Sequence, residues 1–311
     1  MSDTMPLEDD GVEVVEPPKR ELAPQDVGAR PERTPGYIAS RVVFIATLLF
    51  FTVLFIYPLI WLLSASLKPP SEVFSAALIG SEIRWSNYSR LFAIAPIMRW
   101  TWNSVLVATL AAISVTISSA MVAFAFSYFK FRFRDPLFYS VLATMMLPGA
   151  VLFIPQFLIW DALGFNNTLY PLWAGNLFGS AFYIFMLRQF FLTLPGELFE
   201  AAQIDGASYP RLWWSVALPL TKPALVVVFL LELKVAWTDL VRPLIFLRDS
   251  ELFTLARGLK AIIDNPSIGL EQRWELLAAG SVIVTFPMVV IFFVFQRHFV
   301  EGIATTGITG K

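Results

Sequence analysis

The chain has 311 residues, of which 57% are hydrophobic and 15% charged, and its mean hydropathy is +0.65. These values are typical of an integral membrane protein rather than a soluble domain with one large core, and the net charge of −1 gives no indication of nucleic-acid binding. The lack of cysteine excludes a disulfide framework, a thiol nucleophile and a Cys-ligated metal, and the single histidine excludes a His-ligated cluster.

The first 40 residues are acidic. They contain nine acidic residues, four basic residues (Lys19, Arg20, Arg30, Arg33) and several prolines. Such a composition cannot bury enough apolar surface to fold, so residues 1–40 are predicted to be a disordered cytoplasmic tail. Residues 41–300 are predicted to form the transmembrane domain, and residues 301–311 a short cytoplasmic C-terminal tail.

Six apolar segments are long enough to cross about 30 Å of hydrocarbon if broken helices are allowed. They are Val42–Leu63, Ser104–Phe129, Pro136–Trp160, Tyr170–Leu187, Ala224–Phe246 and Trp274–Phe295. The predicted fold class is therefore an all-α membrane protein with six transmembrane helices. An even number of spans places both termini on the same side of the membrane.

The distribution of basic residues predicts the orientation. Residues 130–134 hold three basic residues in a short loop, whereas the short loop 161–169 has none, so the former is predicted to be cytoplasmic. The segment 194–223 then lies on the cytoplasmic side too. The loops 64–103 and 238–273 hold nine basic residues between them, but long loops count less in this rule.

Prolines interrupt two of the predicted spans. Pro148, beside Gly149, and Pro155 lie in the third span, and Pro287 lies in the sixth. A proline removes a backbone donor, which lipid tolerates where neighbouring helices or a water-filled cavity satisfy the freed carbonyl. A bundle with an interior pathway and a bundle with ordinary packing kinks both fit this pattern.

Polar residues at membrane depth require partners, a cavity or an interface. Such residues in the predicted spans are Gln156, Asn176, Glu232 and Lys234. A position at a subunit seam and a position on the pathway remain equally open for them. Trp237 and Asp239 follow, and an aromatic face beside a carboxylate suits sugar hydroxyls, although interfacial anchoring also explains a tryptophan here.

A polar segment, residues 194–223, separates the fourth and fifth apolar blocks. Pro195 and Gly196 are predicted to end the preceding helix, and residues 197–204 have apolar side chains at helical spacing. Gly206 can take a positive φ without a Cβ clash, so a tight turn is expected there.

A second short helix is predicted after this turn. Ser208 is a suitable N-cap, and Leu218, Pro219 and Pro223 are predicted to end the helix before the next apolar block. The segment is thus expected to be a helical hairpin at the membrane surface.

The sequence carries none of the familiar catalytic motifs. The sequence has no GxxxxGK[ST] phosphate loop, no GxSxG elbow and no HExxH. A membrane-embedded enzyme is therefore disfavoured. If the chain belongs to a pump, its ATPase is expected on a separate polypeptide.

The polar segment resembles a known signature, EAAxxDGA followed about ten residues later by LP. The matching residues are Glu200, Ala201, Ala202, Asp205, Gly206, Ala207, Leu218 and Pro219. This is similar to the EAA motif in the inner-membrane permease subunits of binding-protein-dependent ABC importers.

Other stretches resemble the carbohydrate branch of this family, in particular the smaller maltose-type permease. They are Leu67-Lys68-Pro69 with Glu72-Val73-Phe74, Asn87-Tyr88 with Leu91-Phe92, Asn103-Ser104, Pro243-Leu244 and the end of the chain from Gly302 to Lys311. The resemblance extends from about Val42 to Lys311.

The resemblance implies a MetI-like ABC importer permease fold in which the EAA segment is a cytoplasmic coupling helix docked on an ATPase. Glu200 would make the charged contact, Ala201 and Ala202 would allow close approach, and Gly206 would form the turn. The implied partners are a second homologous permease, two ABC ATPase subunits, an extracytoplasmic sugar-binding protein and membrane lipids. The chain itself is expected to bind no cofactor, with ATP and Mg on the ATPase, and to be a multi-pass protein of the bacterial inner membrane.

Substrate contacts are expected from the polar and aromatic residues at membrane depth. We expect Asn176, Lys234, Trp237 and Asp239 to contribute to the substrate pathway, and the tail from residue 301 to reach the ATPase dimer. A secondary transporter or channel is the alternative, since it also has broken helices and intramembrane charges. It would require inverted repeats, which the sequence does not reveal, and it would not explain the EAA segment.

Overall fold

The computed structural model describes residues 35–264 and 273–307, with side chains described up to residue 296. Its contacts divide the chain into two units, residues 1–56 and 57–311. The predicted tail regions 1–34 and 308–311 lie outside the described residues. Residues 35–40 of the predicted tail are helical, and residues 301–307 belong to the last helix.

The regular structure of the described residues is helical throughout. The α-helices are α1 (Pro35–Ser66), α2 (Ser86–Ile94), α3 (Ile97–Tyr128), α4 (Arg134–Ala143), α5 (Gly149–Ala162), α6 (Ala181–Phe191), α7 (Gly196–Ile204), α8 (Tyr209–Leu212), α9 (Leu218–Thr238), α10 (Val241–Phe246), α11 (Leu255–Asp264) and α12 (Trp274–Gly307). The predicted all-α class is confirmed.

The first unit is described from residue 35, where α1 begins. Residues 35–56 are mostly apolar, with Arg41 as the one charged residue, and they are exposed around the whole helix. A helix that is hydrophobic on every side is suited to a lipid or protein environment within the membrane. The predicted span Val42–Leu63 is therefore helical, and α1 extends beyond it at both ends.

The segment between α1 and α3, in the second unit, is held by buried polar contacts. The ammonium of Lys68, 1% exposed, donates to the carbonyl oxygens of Ser75 (3.3 Å) and Ala77 (2.5 Å). Ser81 donates its hydroxyl and its backbone N–H to the carboxylate of Glu72, at 2.5 and 2.8 Å. These two hydrogen bonds lower the pKa of Glu72.

Helix α3 is the centre of the second unit and packs against α6 and α9. Its buried surface includes Ala108, Ala111, Ala112, Ala120 and Ala123. Small side chains let helix backbones approach closely, which is how helices associate in membranes without a hydrophobic driving force between them. The residues that dictate this packing are therefore small rather than large.

The third predicted span is broken where its prolines predicted an interruption. The segments Arg134–Met146 and Gly149–Ala162 meet at an angle of 100°. Leu147 precedes Pro148 and takes an extended conformation with ψ 120°, because the proline ring disfavours helical backbone at the residue before it. Pro155 lies inside α5 and does not end it.

The fourth predicted span, Tyr170–Leu187, is not one helix. Two 3-10 segments, Tyr170–Leu172 and Ala174–Phe178, are followed by Gly179 with φ 79° and then by the 11-residue α6. Four helices in the described residues are long and apolar enough to cross a membrane, or five spans if the bent α4–α5 pair is one. The predicted count of six full spans is not confirmed.

The fifth span begins earlier than predicted. Helical structure runs without interruption over 30 residues from Tyr209 to Thr238, so the expected stop at Pro219 and Pro223 is wrong. A π-helical segment, Trp213–Ala217, precedes Pro219, which then lies in the first turn of α9, where a missing N–H is tolerated.

The fifth span also ends earlier, at Thr238 instead of Phe246. The Asp239 carboxylate accepts hydrogen bonds from the backbone N–H groups of Val241 (3.0 Å) and Arg242 (3.3 Å). A short acidic side chain that satisfies backbone N–H groups in this way competes with helix continuation. The chain turns, and α10 follows as a separate helix.

The segment before α11 is fastened to the first turns of α3. The amide of Asn103 donates to the carbonyl oxygens of Glu251 (2.9 Å) and Phe253 (3.0 Å), and the Ser104 hydroxyl accepts the N–H of Leu255 at 2.7 Å. Helix α11 continues across Trp100 at Gly258. The Asn103-Ser104 pair of the sequence thus has a structural role.

Gly258 provides the first prediction. A Cβ atom at this position would lie 2.1 Å from the Trp100 ring, so Gly258→Ala is expected to lower the free energy of unfolding by about 1–3 kcal/mol. Thermal unfolding of the purified chain in detergent measures this. Gly149→Ala is the control, because a Cβ there meets nothing within 4 Å. Equal unfolding midpoints for both variants would contradict the packing described.

Candidate functional site

The EAA residues lie on a short helix and the turn that follows it. Helix α7 begins after Pro195, and the face formed by Glu197, Glu200, Ala201 and Ile204 is exposed. These positions are separated by three or four residues and therefore lie on one side of the helix. Ile204 has 87% of its surface exposed, which is unusual for a large apolar side chain.

The turn after α7 has the geometry of a Schellman motif. The N–H of Ala207 donates to the carbonyl of Ala202 and the N–H of Gly206 to that of Gln203, both at 2.9 Å. Gly206 has φ 81°, the left-handed conformation that this motif requires at its penultimate position. The Asp205-Gly206-Ala207 sequence is thus explained by the helix end, and the predicted turn at Gly206 is present.

The second part of the predicted hairpin differs in one detail. Ser208 lies at the N-cap of α8 with extended backbone, but its side chain makes no capping hydrogen bond. Pro210 fills the first turn of α8, where its fixed φ favours helix initiation. Leu218 and Pro219 lie at the start of α9, where Leu218 donates to the carbonyl of Trp213 across the π segment.

An aromatic cluster holds α7 against the rest of the second unit. We define the cluster as Phe124, Tyr128, Phe191, Phe199 and Trp213, whose neighbouring ring centroids lie 5.0–6.3 Å apart. Phe199 belongs to α7, immediately before Glu200, and is 6% exposed. Aromatic pairs contribute about 0.5–1.5 kcal/mol beyond their buried area. Through Phe199, helix α7 therefore packs on α3, and Phe124 connects this contact to α6 and to the start of the fifth span.

An open groove of about 570 Å³ lies beside this cluster. Its lining includes the polar side chains of Ser127, Lys130, Glu200, Gln203 and Tyr209 as well as cluster rings. Tyr209 packs edge-on against Phe129, with centroids 5.2 Å apart. The groove connects the EAA helix with the basic loop that follows α3.

A second constellation is a polar network at membrane depth. The Asn176 amide donates to the Glu232 carboxylate at 2.6 Å and to the Ala111 carbonyl at 3.3 Å. Glu232 is 7% exposed. The network joins α3 and α9 to the 3-10 segment that contains Asn176.

The same region satisfies backbone groups that the broken fourth span leaves free. The Ser118 hydroxyl donates to the Asn176 carbonyl at 2.9 Å, and the Ser119 hydroxyl accepts the N–H of Ser180 at 3.0 Å. Arg242 donates to the carbonyl of Leu172 at 3.3 Å. Irregular backbone is stable within a membrane only where such partners exist.

The predicted pathway residues do not form one cluster. Asn176 contacts Glu232, whereas the Trp237 indole N–H donates to the Val284 carbonyl at 3.0 Å between α9 and α12. Asp239 forms an ion pair with Arg242, and the side chain of Lys234 is exposed. Of the four predicted pathway residues, only Asn176 pairs with another polar residue of the predicted spans. That residue is Glu232, which lies 56 positions further along the sequence.

Sequence reasoning missed the aromatic cluster. In the sequence, Phe199 is one apolar position of the predicted helix 197–204, Phe124 and Tyr128 lie in the second apolar segment, and Trp213 lies in the polar segment 194–223. The one feature of the sequence that points to the cluster is its high density of aromatic residues. Such residues make up 15% of the chain and recur at the end of α3 and around the EAA segment. Ring density alone does not predict which rings meet.

Comparison with known proteins gives consistent matches. Residues 116–305 match the family described as binding-protein-dependent transport system inner membrane component. The chain is 28% identical over 286 residues to the arabinooligosaccharides transport system permease protein AraQ of Bacillus subtilis, covering 89% of this chain and 99% of that protein. It is 34% identical over 208 residues to the sn-glycerol-3-phosphate transport system permease protein UgpE of Brucella abortus, covering 67% and 73%.

The fold has a relative among solved structures. A crystal structure of a bacterial ABC transporter involved in the import of the acidic polysaccharide alginate includes a chain that superposes with a TM-score of 0.74 at 23% identity, covering 87% of this chain and all of that chain. The architecture is that of a multi-pass ABC importer permease. The chain belongs to the family of inner-membrane components of binding-protein-dependent transport systems.

The aromatic cluster provides the second prediction. Phe199→Ala removes the one ring that α7 contributes, so opening of α7 is expected to cost about 3 kcal/mol less, and its amides to exchange on the order of 100-fold faster. Hydrogen–deuterium exchange read by mass spectrometry measures this. Leu198→Ala, at a 44% exposed neighbouring position, is the control and is expected to change exchange little. Unchanged protection in Phe199→Ala would show that the ring does not anchor α7.

The polar network provides the third prediction. Glu232→Leu leaves the Asn176 amide without its main acceptor in an apolar setting, so thermal stability is expected to fall, whereas Glu232→Gln keeps a carbonyl acceptor and is expected to lose less. A double-mutant cycle with Asn176→Leu in detergent should give a coupling of about 0.5–3 kcal/mol. Additive effects of the two substitutions would refute the pairing.

Proposed function

We propose that the chain is a transmembrane permease subunit of an ATP-driven ABC importer for a sugar or a related polyol. Family membership supports the permease role. The sugar class is supported by the similarity to the arabinooligosaccharides transport system permease and by the resemblance of this chain to the carbohydrate branch. The similarity to the sn-glycerol-3-phosphate transport system permease extends the proposal to polyol derivatives.

One observation carries the coupling role. Helix α7 presents Glu200, Ala201 and Ile204 outward while Phe199 fastens the opposite side to the transmembrane helices. A charged group, a small residue and an apolar side chain on one exposed face form a contact surface for another protein. Its proposed partner is a separate ABC ATPase, with Glu200 as the charged contact and Ala201 allowing close approach.

The proposed mechanism transmits motion through this attachment. Closure of two ATPase subunits on ATP would displace α7, and the aromatic cluster would pass the displacement to α3, α6 and the start of the fifth span. A second homologous permease would enclose the pathway, and the two bundles would rock between outward-open and inward-open states. ATP and Mg would bind to the ATPase, and no nucleotide or other cofactor to this chain.

The proposed solute comes from an extracytoplasmic binding protein. The segment 238–273 is long enough to meet it, and its anchoring on Asn103 and Ser104 would hold that docking surface. Among the residues expected on the pathway, Lys234 has an exposed side chain and is the strongest candidate for solute contact. Asn176, Trp237 and Asp239 would support the pathway wall through their internal contacts.

The proposed location is the bacterial inner membrane, with both termini and the EAA segment in the cytoplasm. A secondary transporter or channel is the second candidate, because the irregular segment Tyr170–Gly179 at membrane depth is a feature of ion-driven carriers. The two differ in their need for ATP. Uptake driven by an ion gradient in liposomes that contain this chain without an ATPase would favour the second.

The fourth prediction tests coupling in the reconstituted complex with its own ATPase and second permease. Glu200→Ala is expected to lower solute-stimulated ATP hydrolysis at least about tenfold, because losing the partner of a charged contact at an interface costs about 2 kcal/mol or more. Phosphate release with and without loaded binding protein measures it. Glu197→Ala, one turn earlier on the same exposed face, is the matched control and should retain most stimulation.

Correct insertion is checked by labelling. The chain has no cysteine, so Ser208→Cys offers a single site, which an impermeant maleimide should reach only from the cytoplasmic side. Unchanged stimulation in a correctly inserted Glu200→Ala complex would remove the coupling role from Glu200. Labelling from outside would overturn the proposed topology.

A further inference from the structure

The loop between α3 and α4 is a concentrated patch of cations and exposed rings. In the sequence Lys130-Phe131-Arg132-Phe133-Arg134, basic and aromatic residues alternate. Phe131 and Phe133 are 42% and 61% exposed, and the guanidinium of Arg132 lies over the Phe133 ring at 4.9 Å. The coupling role uses none of these side chains except through the neighbouring groove.

The loop lines a cavity that is open to the surroundings. Its volume is about 480 Å³, and its lining consists of residues 130–136 alone. The one carboxylate in the lining, Asp135, forms an ion pair with Arg134 at 2.9 Å. Lys130 and Arg132 form no ion pair among the described residues, so the cavity keeps a net positive charge.

The backbone adds little to the attraction for an anion. Phe133 stands at the N-cap of α4 with φ 67°, and no side chain caps the helix. The Arg134 N–H donates to the Phe131 carbonyl at 3.3 Å and Pro136 has no N–H, so of the first three helical positions only Asp135 offers a further N–H. The side-chain cations and the cavity are therefore the features that favour an anion here.

The surroundings distinguish a lipid from a free anion. Beyond Phe133, α4 exposes Leu137 (51%) and Tyr139 (67%), and Phe131 packs on Phe126 of the α3 span with ring centroids 6.0 Å apart. The loop follows the end of one apolar helix and precedes the start of another. Aromatic rings and cations at this level are suited to the region where lipid headgroups meet acyl chains.

We propose that residues 130–136 form a binding site for the phosphate of an anionic phospholipid, whose acyl chains lie along Leu137 and the apolar surface of α4. Lys130 and Arg132 contact the phosphate, Arg134 contributes less because Asp135 neutralises it, and Phe131 and Phe133 hold the loop in the interface. Lys130 also lines the groove beside Glu200, so an occupied site adjoins α7.

The test uses the full chain in detergent and short-chain phosphatidylglycerol as the probe, with phosphatidylcholine of the same chains for comparison. Native mass spectrometry across a lipid titration measures the affinity of the bound lipid. The wild-type chain is expected to bind phosphatidylglycerol more tightly than phosphatidylcholine. The triple variant Lys130→Gln, Arg132→Gln, Arg134→Gln is expected to lose roughly tenfold in affinity for phosphatidylglycerol and little for phosphatidylcholine.

A variant with the same change of net charge is the control. Arg84→Gln, Arg248→Gln, Lys260→Gln removes three cations from other loops and should keep the wild-type preference. The charge-retaining variant Lys130→Arg, Arg132→Lys, Arg134→Lys should also keep it, which separates loss of charge from loss of folding. Phe133→Ser should weaken lipid binding while leaving the cations in place.

Four outcomes would overturn the proposal. The first is equal affinity for the two lipids, and the second is an equal loss of affinity in the control triple variant. The third is displacement of the lipid by inorganic phosphate at the same concentration. The fourth is a Lys130/Arg132/Arg134 triple variant that binds the lipid as the wild-type chain does but fails to assemble with the ATPase. The third would indicate a free-anion site and the fourth an acidic protein surface. Since the measurement needs neither ATP nor solute, its result is independent of the transport role.

Discussion

The aromatic cluster around Phe124 is the contact on which the proposed coupling depends. Helix α7 has nine residues, too few to be stable alone in water, and its exposed face carries little that would hold it to the membrane helices. Phe199 supplies that attachment by packing against Phe124 and Tyr128 of α3, with Phe191 and Trp213 beside them. A displacement of α7 therefore has a rigid route into the bundle, because close-packed rings do not deform continuously.

Helix α3 connects the two ends of the second unit. Its 32 residues give a length of about 48 Å. Trp100, Asn103 and Ser104 hold the segment before α11 at its first turns, and Phe124 and Tyr128 hold α7 at its last turns. Between them, alanines pack closely on α9. One unbroken helix thus contacts both the segment proposed to meet the binding protein and the helix proposed to meet the ATPase.

The sequence predicts local features better than long-range contacts. Gly206 predicted its turn, and Pro148 predicted the break in the third span, because both restrict backbone angles at their own position. The prediction of a helix end at Pro219 and Pro223 was wrong because the rule is local. Pro219 follows a π segment and lies in the first turn of α9, and Pro223 lies inside that helix without ending it. The irregular course of the fourth span was missed because its stability depends on Ser118, Ser119 and Glu232, which come from other helices. The EAA positions were recognisable as a motif, but their anchor, Phe199, is defined by rings about 70 residues away in sequence.

The polar network and the irregular backbone of the fourth span stabilise each other through hydrogen bonds. An unwound segment within a membrane exposes carbonyl and N–H groups, each of which would cost several kcal/mol in lipid without a partner. Asn176 and Glu232 would be equally unfavourable alone, yet together with the serines of α3 they satisfy one another and the backbone. Because a continuous helix would need none of these polar groups, their presence indicates that the irregular conformation of residues 170–180 is specified by the sequence.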